Sequence, residues 1–142
     1  MIEKIKHKKI LYALIIRNYR KKKGISFFTE KKSFQQIGYM KHDKNHMIVP
    51  HLHRFRKSKI NRTSEPLIIL KGILRVDFYD TRKRYLFSKK LNKGDIIMLP
   101  QGGHGFKTIS SVEMVEVKQG PYIKIKDKKR FKNIDEKKIK FK

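Results

Sequence analysis

The stretch of sequence that decides the fold is Leu67-Ile68-Ile69-Leu70-Lys71-Gly72-Ile73-Leu74-Arg75-Val76-Asp77-Phe78-Tyr79. After the glycine, apolar and charged side chains alternate: Leu74, Val76 and Phe78 on one face against Arg75 and Asp77 on the other. A period of two is that of a β-strand, in which successive side chains point to opposite faces. The stretch therefore predicts an apolar run leading into Gly72, then a half-buried strand beside a hairpin partner.

Similar short runs follow toward the C-terminus. A polar turn at residues 80–83 precedes strand candidates at residues 85–87, 95–99 and 112–117, separated by glycine and proline. The last two are predicted to be buried strands, and helical periodicity with caps is absent except in the tail. Several short strands at close spacing predict an all-β sandwich or barrel.

The apolar run at residues 10–16 has the composition of another buried strand. It contains seven residues, whereas a membrane-spanning helix needs about 20. The basic stretch 17–23 follows it, with no small-residue cleavage site of the kind that ends a signal peptide. We therefore predict a cytoplasmic protein with no membrane segment.

The composition limits the chemistry that the chain can carry. Its 142 residues are the size of one domain. The absence of cysteine excludes disulfides, thiolate metal sites and a cysteine nucleophile. Any metal ion must therefore be held by histidine nitrogens and carboxylate oxygens.

The net charge of +26 invites a nucleic-acid-binding interpretation. However, lysine outnumbers arginine 29 to 9 and isoleucine outnumbers leucine 19 to 9, skews that A/T-rich codons also produce. Residues 1–35 and 118–142 carry 22 of the 38 Lys and Arg residues but 5 of the 12 Asp and Glu residues. The charge is thus concentrated at the two ends, and codon usage is the favoured explanation. The alternative is polyanion binding by aromatic side chains within these basic ends: Tyr19, Phe27, Phe28 and Phe131.

His51 and His53 are the histidines best spaced for metal binding. They follow Pro50 in a segment predicted to be a strand, where a spacing of two places both imidazoles on one face, about 7 Å apart. Two such imidazoles can share a metal ion. The other histidines, His7 and the pair His42 and His46 beside a predicted turn, are interpreted as solvated surface residues.

Two further residues complete a known pattern. Glu65 begins the run that leads to Gly72, and His104 follows a stretch in which Gly94, Pro100 and Gly102 recur. Together with His51-Leu52-His53, this spacing resembles the two-part signature of the cupin superfamily. The resemblance covers residues 34–123. It implies a double-stranded β-helix, or jelly-roll, cupin barrel with one active cavity.

The resemblance also implies a metal site formed by His51, His53, Glu65 and His104. Three imidazoles and one carboxylate suit one divalent ion, Fe, Mn, Ni or Zn, with coordination positions left for substrate. The sequence departs from the signature in three ways. An insert, residues 54–64, separates His53 from Glu65, His104 comes one residue early, and Thr108 stands where asparagine is common.

A narrower resemblance rests on four stretches: residues 39–42, 74–80, 102–106 and 116–122. They are similar to small uncharacterised bacterial cupins labelled mannose-6-phosphate-isomerase-like, which often lie among genes for surface-polysaccharide synthesis. This implies a metal-dependent cupin that acts on a small anionic metabolite, such as a sugar phosphate or nucleotide sugar, by isomerase or epimerase chemistry. Basic residues of the insert would attract that anion if the insert lies over the barrel mouth: Arg54, Arg56, Lys57, Lys59 and Arg62. The alternative is that the insert is a solvated loop.

We therefore expect basic N-terminal strands at residues 1–33, a cupin barrel at residues 34–123 and a Lys-rich, weakly ordered tail at residues 124–142. The resemblance further implies a homodimer. Two other functions stay open: a non-enzymatic cupin that binds a ligand without turnover, and a polyanion-binding protein. The sequence does not identify catalytic or substrate-binding residues.

Overall fold

The computed structural model describes residues 1–19, 23–55, 57, 62–120 and 128–142. The chain separates into two compact units, here named the larger unit (Met1–Asn18 with Arg62–Lys142) and the smaller unit (Tyr19–Asn61). The predicted boundary between residues 123 and 124 lies outside the described residues.

The described residues form ten strands and one short 3-10 helix. In chain order the strands are β1 (Ile2–His7), β2 (Ile10–Ile16), β3 (Gly24–Phe27), β4 (Gly38–Lys41), β5 (Glu65–Lys71), β6 (Ile73–Tyr79), β7 (Tyr85–Asn92), β8 (Ile96–Leu99), β9 (Gly103–Thr108) and β10 (Glu113–Glu116). The 3-10 helix is Glu136–Lys138. The predicted all-β class is confirmed. Within the described ranges, no helix has the length and apolar character to cross a membrane.

Three antiparallel sheets organise these strands. The larger unit contains a five-stranded sheet, in the order β1-β2-β8-β5-β10, and a three-stranded sheet, in the order β7-β6-β9. The smaller unit contains the β3-β4 pair. The strands of the described residues do not close into a barrel.

One hydrophobic core is shared by both sheets of the larger unit. Ile15 and Ile97 contribute from the five-stranded sheet, and Leu74, Val76 and Phe78 contribute from the three-stranded sheet. The predicted alternation along β6 is thus confirmed for its apolar face. Burial of such side chains is the main favourable contribution to folding.

Most of the predicted strands are present where the pattern placed them. Residues 10–16 form β2, which is buried from Tyr12 onward, and residues 85–87 begin β7. Residues 95–99 contain β8, and residues 112–117 contain β10. The predicted burial of β10 is wrong, because β10 is an edge strand of the five-stranded sheet and all four of its residues are exposed.

Gly72 carries the chain from one sheet to the other. It adopts a φ of +81°, and a Cβ at this position would lie 1.9 Å from the Ser111 carbonyl oxygen. Only glycine fits both requirements without strain. β5 therefore pairs within the five-stranded sheet, while β6 pairs with β7 across the polar turn at residues 80–83.

The outer face of β6 is buried as well. Arg75 is 7% exposed and Asp77 is 4% exposed, so the prediction of a half-buried strand is wrong. Arg75 donates from Nη2 to Asp77 Oδ2 at 3.0 Å, and Asp77 also accepts a hydrogen bond from the Ser88 hydroxyl on β7. A buried charge is tolerated where it is paired and hydrogen-bonded in this way.

The C-terminal segment, residues 128–142, is tied to this outer face. The Ile134 amide donates to the Tyr79 hydroxyl at 3.1 Å, and the Ser88 amide donates to the Lys140 carbonyl at 2.7 Å. The Arg75 guanidinium donates to both carboxylate oxygens of Glu136, at 2.7 and 2.9 Å. The segment, for which the sequence predicts weak order, thus makes specific backbone and side-chain hydrogen bonds to β6 and β7.

The Glu136 carboxylate lies between two cations. Hydrogen bonds from Arg75 and then from Lys107 hold the pKa of Glu136 at about 2, well below its ordinary value. A lowered pKa means that protons bind more tightly to the unfolded chain than to the folded one. The contribution of this carboxylate to folding is therefore present above its ordinary pKa and lost as the pH falls toward 2.

The smaller unit contains a short hairpin-like pair. Ile25 lies opposite Met40, and Phe27 lies opposite Gly38, whose missing side chain leaves room for the Phe27 ring. The Tyr19 ring contacts Phe28 edge-on, with ring centroids 4.2 Å apart. Aromatic contacts thus supply much of the packing of this unit.

We predict that Leu74→Ala lowers the free energy of unfolding by about 2–5 kcal/mol, because it leaves a cavity at a side chain that is 0% exposed. Leu70→Ala, at a side chain that is 48% exposed, is the matched control and should cost less than about 1 kcal/mol. Denaturant unfolding of both variants measures the difference. Equal losses would contradict the placement of the core.

We also predict that the stabilisation provided by Glu136 depends on pH. The difference in unfolding free energy between the wild type and Glu136→Gln should be full at about pH 6 and shrink as the pH falls toward about 2. Urea unfolding at a series of pH values measures it. Glu116→Gln, at an exposed position on β10, is the control and should show no comparable pH-dependent difference. A Glu136→Gln difference that grows in acid would contradict the ion pair.

Candidate functional site

The larger unit contains a cavity of about 750 Å³. Its walls come from four places: the start of β5, the end of β6 with the turn after it, the connection from β8 to β9, and the C-terminal segment. This size falls within the range of small-molecule binding sites in proteins. Both predicted site residues of this unit, Glu65 and His104, line the cavity.

Glu65 and His104 meet at the cavity wall. Glu65 is the first residue of β5, and His104 is the second residue of β9, where it lies opposite Phe78 of β6. His104 Nε2 lies 2.9 Å from Glu65 Oε2. The Glu65 side chain is 8% exposed and the His104 side chain is 24% exposed. Two of the four predicted metal ligands are thus in direct contact.

The Glu65 carboxylate is held in its charged form. The hydrogen bond from His104 lowers the pKa of Glu65 to about 2 and outweighs burial, which acts in the opposite direction. Lys128 Nζ, 3.4 Å from Glu65 Oε1, lowers it further. At neutral pH Glu65 is therefore an anionic acceptor or metal ligand and cannot serve as a proton donor.

Glycine at position 102 allows the connection that places His104. Gly102 has a φ of +89°, and a Cβ there would lie 2.3 Å from the Tyr12 ring. A larger residue would therefore collide with a buried ring of β2 and would be strained in its backbone. The motif containing Pro100 and Gly102 thus has a physical role, because it turns the chain from β8 into β9, the strand that carries His104.

The remaining wall of the cavity is strongly basic. Its cations are Arg62, Lys83, Lys128, Lys129 and Arg130. The acidic side chains are Glu65, described above, and Asp80, which accepts hydrogen bonds from the backbone and side chain of Arg84. These bonds, led by that from the Arg84 backbone, lower the pKa of Asp80. The cavity is therefore suited to an anion.

Sequence reasoning missed most of this basic wall. The sequence predicts that the insert carries the charge that attracts the anion. Of the basic residues of the insert, Arg62 lines the cavity, whereas Arg54 and Lys57 belong to the smaller unit. Arg56 and residues 58–61 lie outside the described residues. The missed cations are Lys83 of the turn after β6 and Lys128 to Arg130 of the C-terminal segment. The signal that could have found the last three is the aromatic Phe131 directly after three cations.

His51 and His53 belong to the smaller unit. The prediction of a strand here is wrong, because residues 45–55 have no strand pairing, and Leu52 between the two histidines is 96% exposed. The two rings are in edge-to-face contact with centroids 5.3 Å apart, and His51 Nδ1 lies 2.9 Å from the carbonyl oxygen of Val49. The pair is thus together, as predicted, but on irregular backbone.

His42 and His46 also belong to the smaller unit. Their rings are stacked with centroids 4.0 Å apart, on either side of the predicted turn, in which Asn45 has a φ of +66°. In the part of the chain that is described, no three His, Cys, Asp or Glu side chains come together as a metal-binding group.

The larger unit supplies a donor pair that fits part of the predicted metal site. Two ligand atoms that bind one metal ion at about 2.1 Å, at a right angle, lie about 3 Å apart. The 2.9 Å between His104 Nε2 and Glu65 Oε2 is compatible with that spacing, but in the structure it is the hydrogen bond described above, and a metal ion would replace the hydrogen on Nε2. A nitrogen and a carboxylate oxygen are also the donor types that Fe, Mn, Ni and Zn accept.

Comparisons with known proteins found no relative of this chain. No protein family, no curated protein and no solved structure matched the chain. The fold, the cavity and its charged residues therefore stand on the geometry alone, and the resemblance to cupins rests on the motif residues. Function has to be inferred from the chemistry of the cavity.

Proposed function

We propose that this chain is a metal-dependent cupin that acts on a small anionic metabolite, such as a sugar phosphate or nucleotide sugar, by isomerase or epimerase chemistry. The observation that carries the proposal is the basic cavity with the Glu65–His104 pair in its wall. An anion enters a positively charged cavity favourably. The two candidate metal ligands lie where such a substrate would bind.

The jelly-roll part of the proposal is supported by the strand arrangement of the larger unit. Two antiparallel sheets with five and three strands share one core. Double-sheet jelly rolls are built from eight strands in two sheets. Gly72 carries the chain from β5 in the five-stranded sheet to β6 in the three-stranded sheet.

We propose His51 and His53 as the other two ligands of one divalent ion, Fe, Mn, Ni or Zn. When bound, such an ion supplies a Lewis acid that polarises a carbonyl group. The residues of the chain have separate roles. Glu65 contributes a carboxylate that stays charged at neutral pH, and Lys128 partly compensates that charge. The cavity cations orient the anionic end of the substrate.

The metal site predicts a stoichiometry that elemental analysis measures. We expect about one divalent ion per chain in the wild type and loss of that ion in a His53→Ala, His104→Ala double variant. The matched control is a His7→Ala, His46→Ala double variant, which removes two histidines outside the proposed site and should keep the metal. A wild type that holds no more metal than the test variant would rule the site out.

A non-enzymatic cupin that binds a ligand is the second candidate. This candidate is favoured by the contacts of Glu65. Its carboxylate is paired with His104 and Lys128, an arrangement that suits a structural role in a binding site without proton transfer. A panel of sugar phosphates and nucleotide sugars separates the two functions. We expect an isomerised or epimerised product from at least one compound, detected by chromatography. Tight binding with no product across the panel would favour the second candidate.

We also propose a homodimer. Its support is the exposed edge strand β10, where Met114 and Val115 are apolar and more than a third exposed. An unpaired edge strand is a template for pairing with another chain. Native mass spectrometry of the purified protein reports oligomeric state, metal and any co-purified metabolite in one spectrum.

A further inference from the structure

The C-terminal segment forms one wall of the cavity. Lys128, Lys129, Arg130 and Phe131 all line it, together with the start of β5 and the end of β6. Beyond them the segment is anchored by the Ile134 amide to the Tyr79 hydroxyl, and further on by Glu136 to Arg75. The segment that carries the four lining residues is therefore held on β6 by a hydrogen bond and an ion pair.

The cations that line the cavity differ in whether they contact another side chain. Lys128 is 3.4 Å from Glu65, and Lys83 lies over the ring of Phe131, 5.9 Å from its centroid. Lys129 and Arg130 are exposed, and neither forms an ion pair with any residue that the structure describes. Their N–H donors are thus open to a ligand from outside. Arginine binds phosphate oxygens in a bidentate manner, and lysine binds them as a point charge.

An apolar surface lies beside these two cations. The ring of Phe131 is half-buried and contacts Tyr79 edge-on, with ring centroids 5.0 Å apart. A Cβ on Gly103 would lie 3.1 Å from the Phe131 ring, so glycine leaves room for this position. Binding sites commonly combine such an aromatic wall with a few placed charges.

We propose that the C-terminal segment is the phosphate-binding wall of the cavity: Lys129 and Arg130 bind the phosphoryl oxygens of the ligand, and Phe131 packs against the adjoining sugar ring. The proposal rests on the proposed function in taking a phosphorylated sugar as the ligand. Lys129, Arg130 and Phe131 are then the residues that select the ligand, and the C-terminal segment is part of the binding site.

The first test compares two charge reversals on the same segment. Lys129→Glu with Arg130→Glu changes lining residues, whereas Lys132→Glu with Lys137→Glu makes the same change in net charge at exposed residues outside the cavity. Glucose 1-phosphate is the probe, with glucose as its uncharged counterpart, and calorimetric titration measures the dissociation constants. We expect the lining variant to bind glucose 1-phosphate at least about tenfold more weakly and the control variant to stay within about twofold.

The second test separates the ring from the phosphate. Phe131→Leu keeps an apolar side chain against Tyr79 but removes the flat ring. We expect it to weaken binding of glucose 1-phosphate several-fold while leaving binding of inorganic phosphate unchanged. Thermal unfolding of each variant checks that the fold is retained.

The outcomes distinguish this proposal from the proposed function. If the wild type binds glucose 1-phosphate or a nucleotide sugar but the lining variant binds it equally well, the phosphate wall is wrong and the proposed function stands. Equal weakening in the lining and control variants would show a general effect of net charge and would also overturn the wall. A wild type that binds no phosphorylated probe would overturn both.

Discussion

The ion pair between Arg75 and Glu136 is the interaction on which the cavity depends. Arg75 lies on the outer face of β6, 8% exposed, and also contacts Asp77. The Glu136 side chain is 55% exposed, and Asp77 remains beside Arg75 when Glu136 is removed, so the pair acts as a tie between two segments rather than as a buried ion pair. Together with the hydrogen bond from the Ile134 amide to the Tyr79 hydroxyl, the pair holds the C-terminal segment on β6. That docking places Lys129 and Phe131 at the cavity.

The sequence predicts the core-facing side of β6 better than its outer face, on which the C-terminal segment lies. Alternation along β6 identifies Leu74 as a core residue, because the period of two is a local property of the strand. The same reasoning assigns Arg75 to solvent, since a charged side chain opposite an apolar face is usually exposed. Its actual partner, Glu136, is distant in sequence, and no local pattern connects them. The signal that remains is Asp135 beside Glu136, two acidic residues in an otherwise basic segment.

The residues of the candidate site also differ in how well the sequence predicts their positions. Glu65 and His104 come together because Glu65 begins β5 and His104 is the second residue of β9, and the core fixes the positions of both strands. His51 and His53 lie on backbone without strand pairing, so the spacing of two does not determine where the rings point. A Lys-rich composition such as that of residues 124–142 is typical of disordered chain, and composition carries no information on anchoring contacts.

In a chain with a net charge of +26, the acidic residues show which cations have structural roles. Buried carboxylates bind particular guanidinium groups: Asp95 accepts from Arg17 at 2.5 Å, and Asp80 accepts from Arg84 at 2.8 Å. Cations held in this way are unavailable to a ligand. The overall charge attracts any anion to the surface, but long-range attraction discriminates poorly between anions. Selectivity for one anion therefore has to come from cations that the fold holds in place and that form no ion pair with a carboxylate. Among the described residues, Arg130 is such a cation.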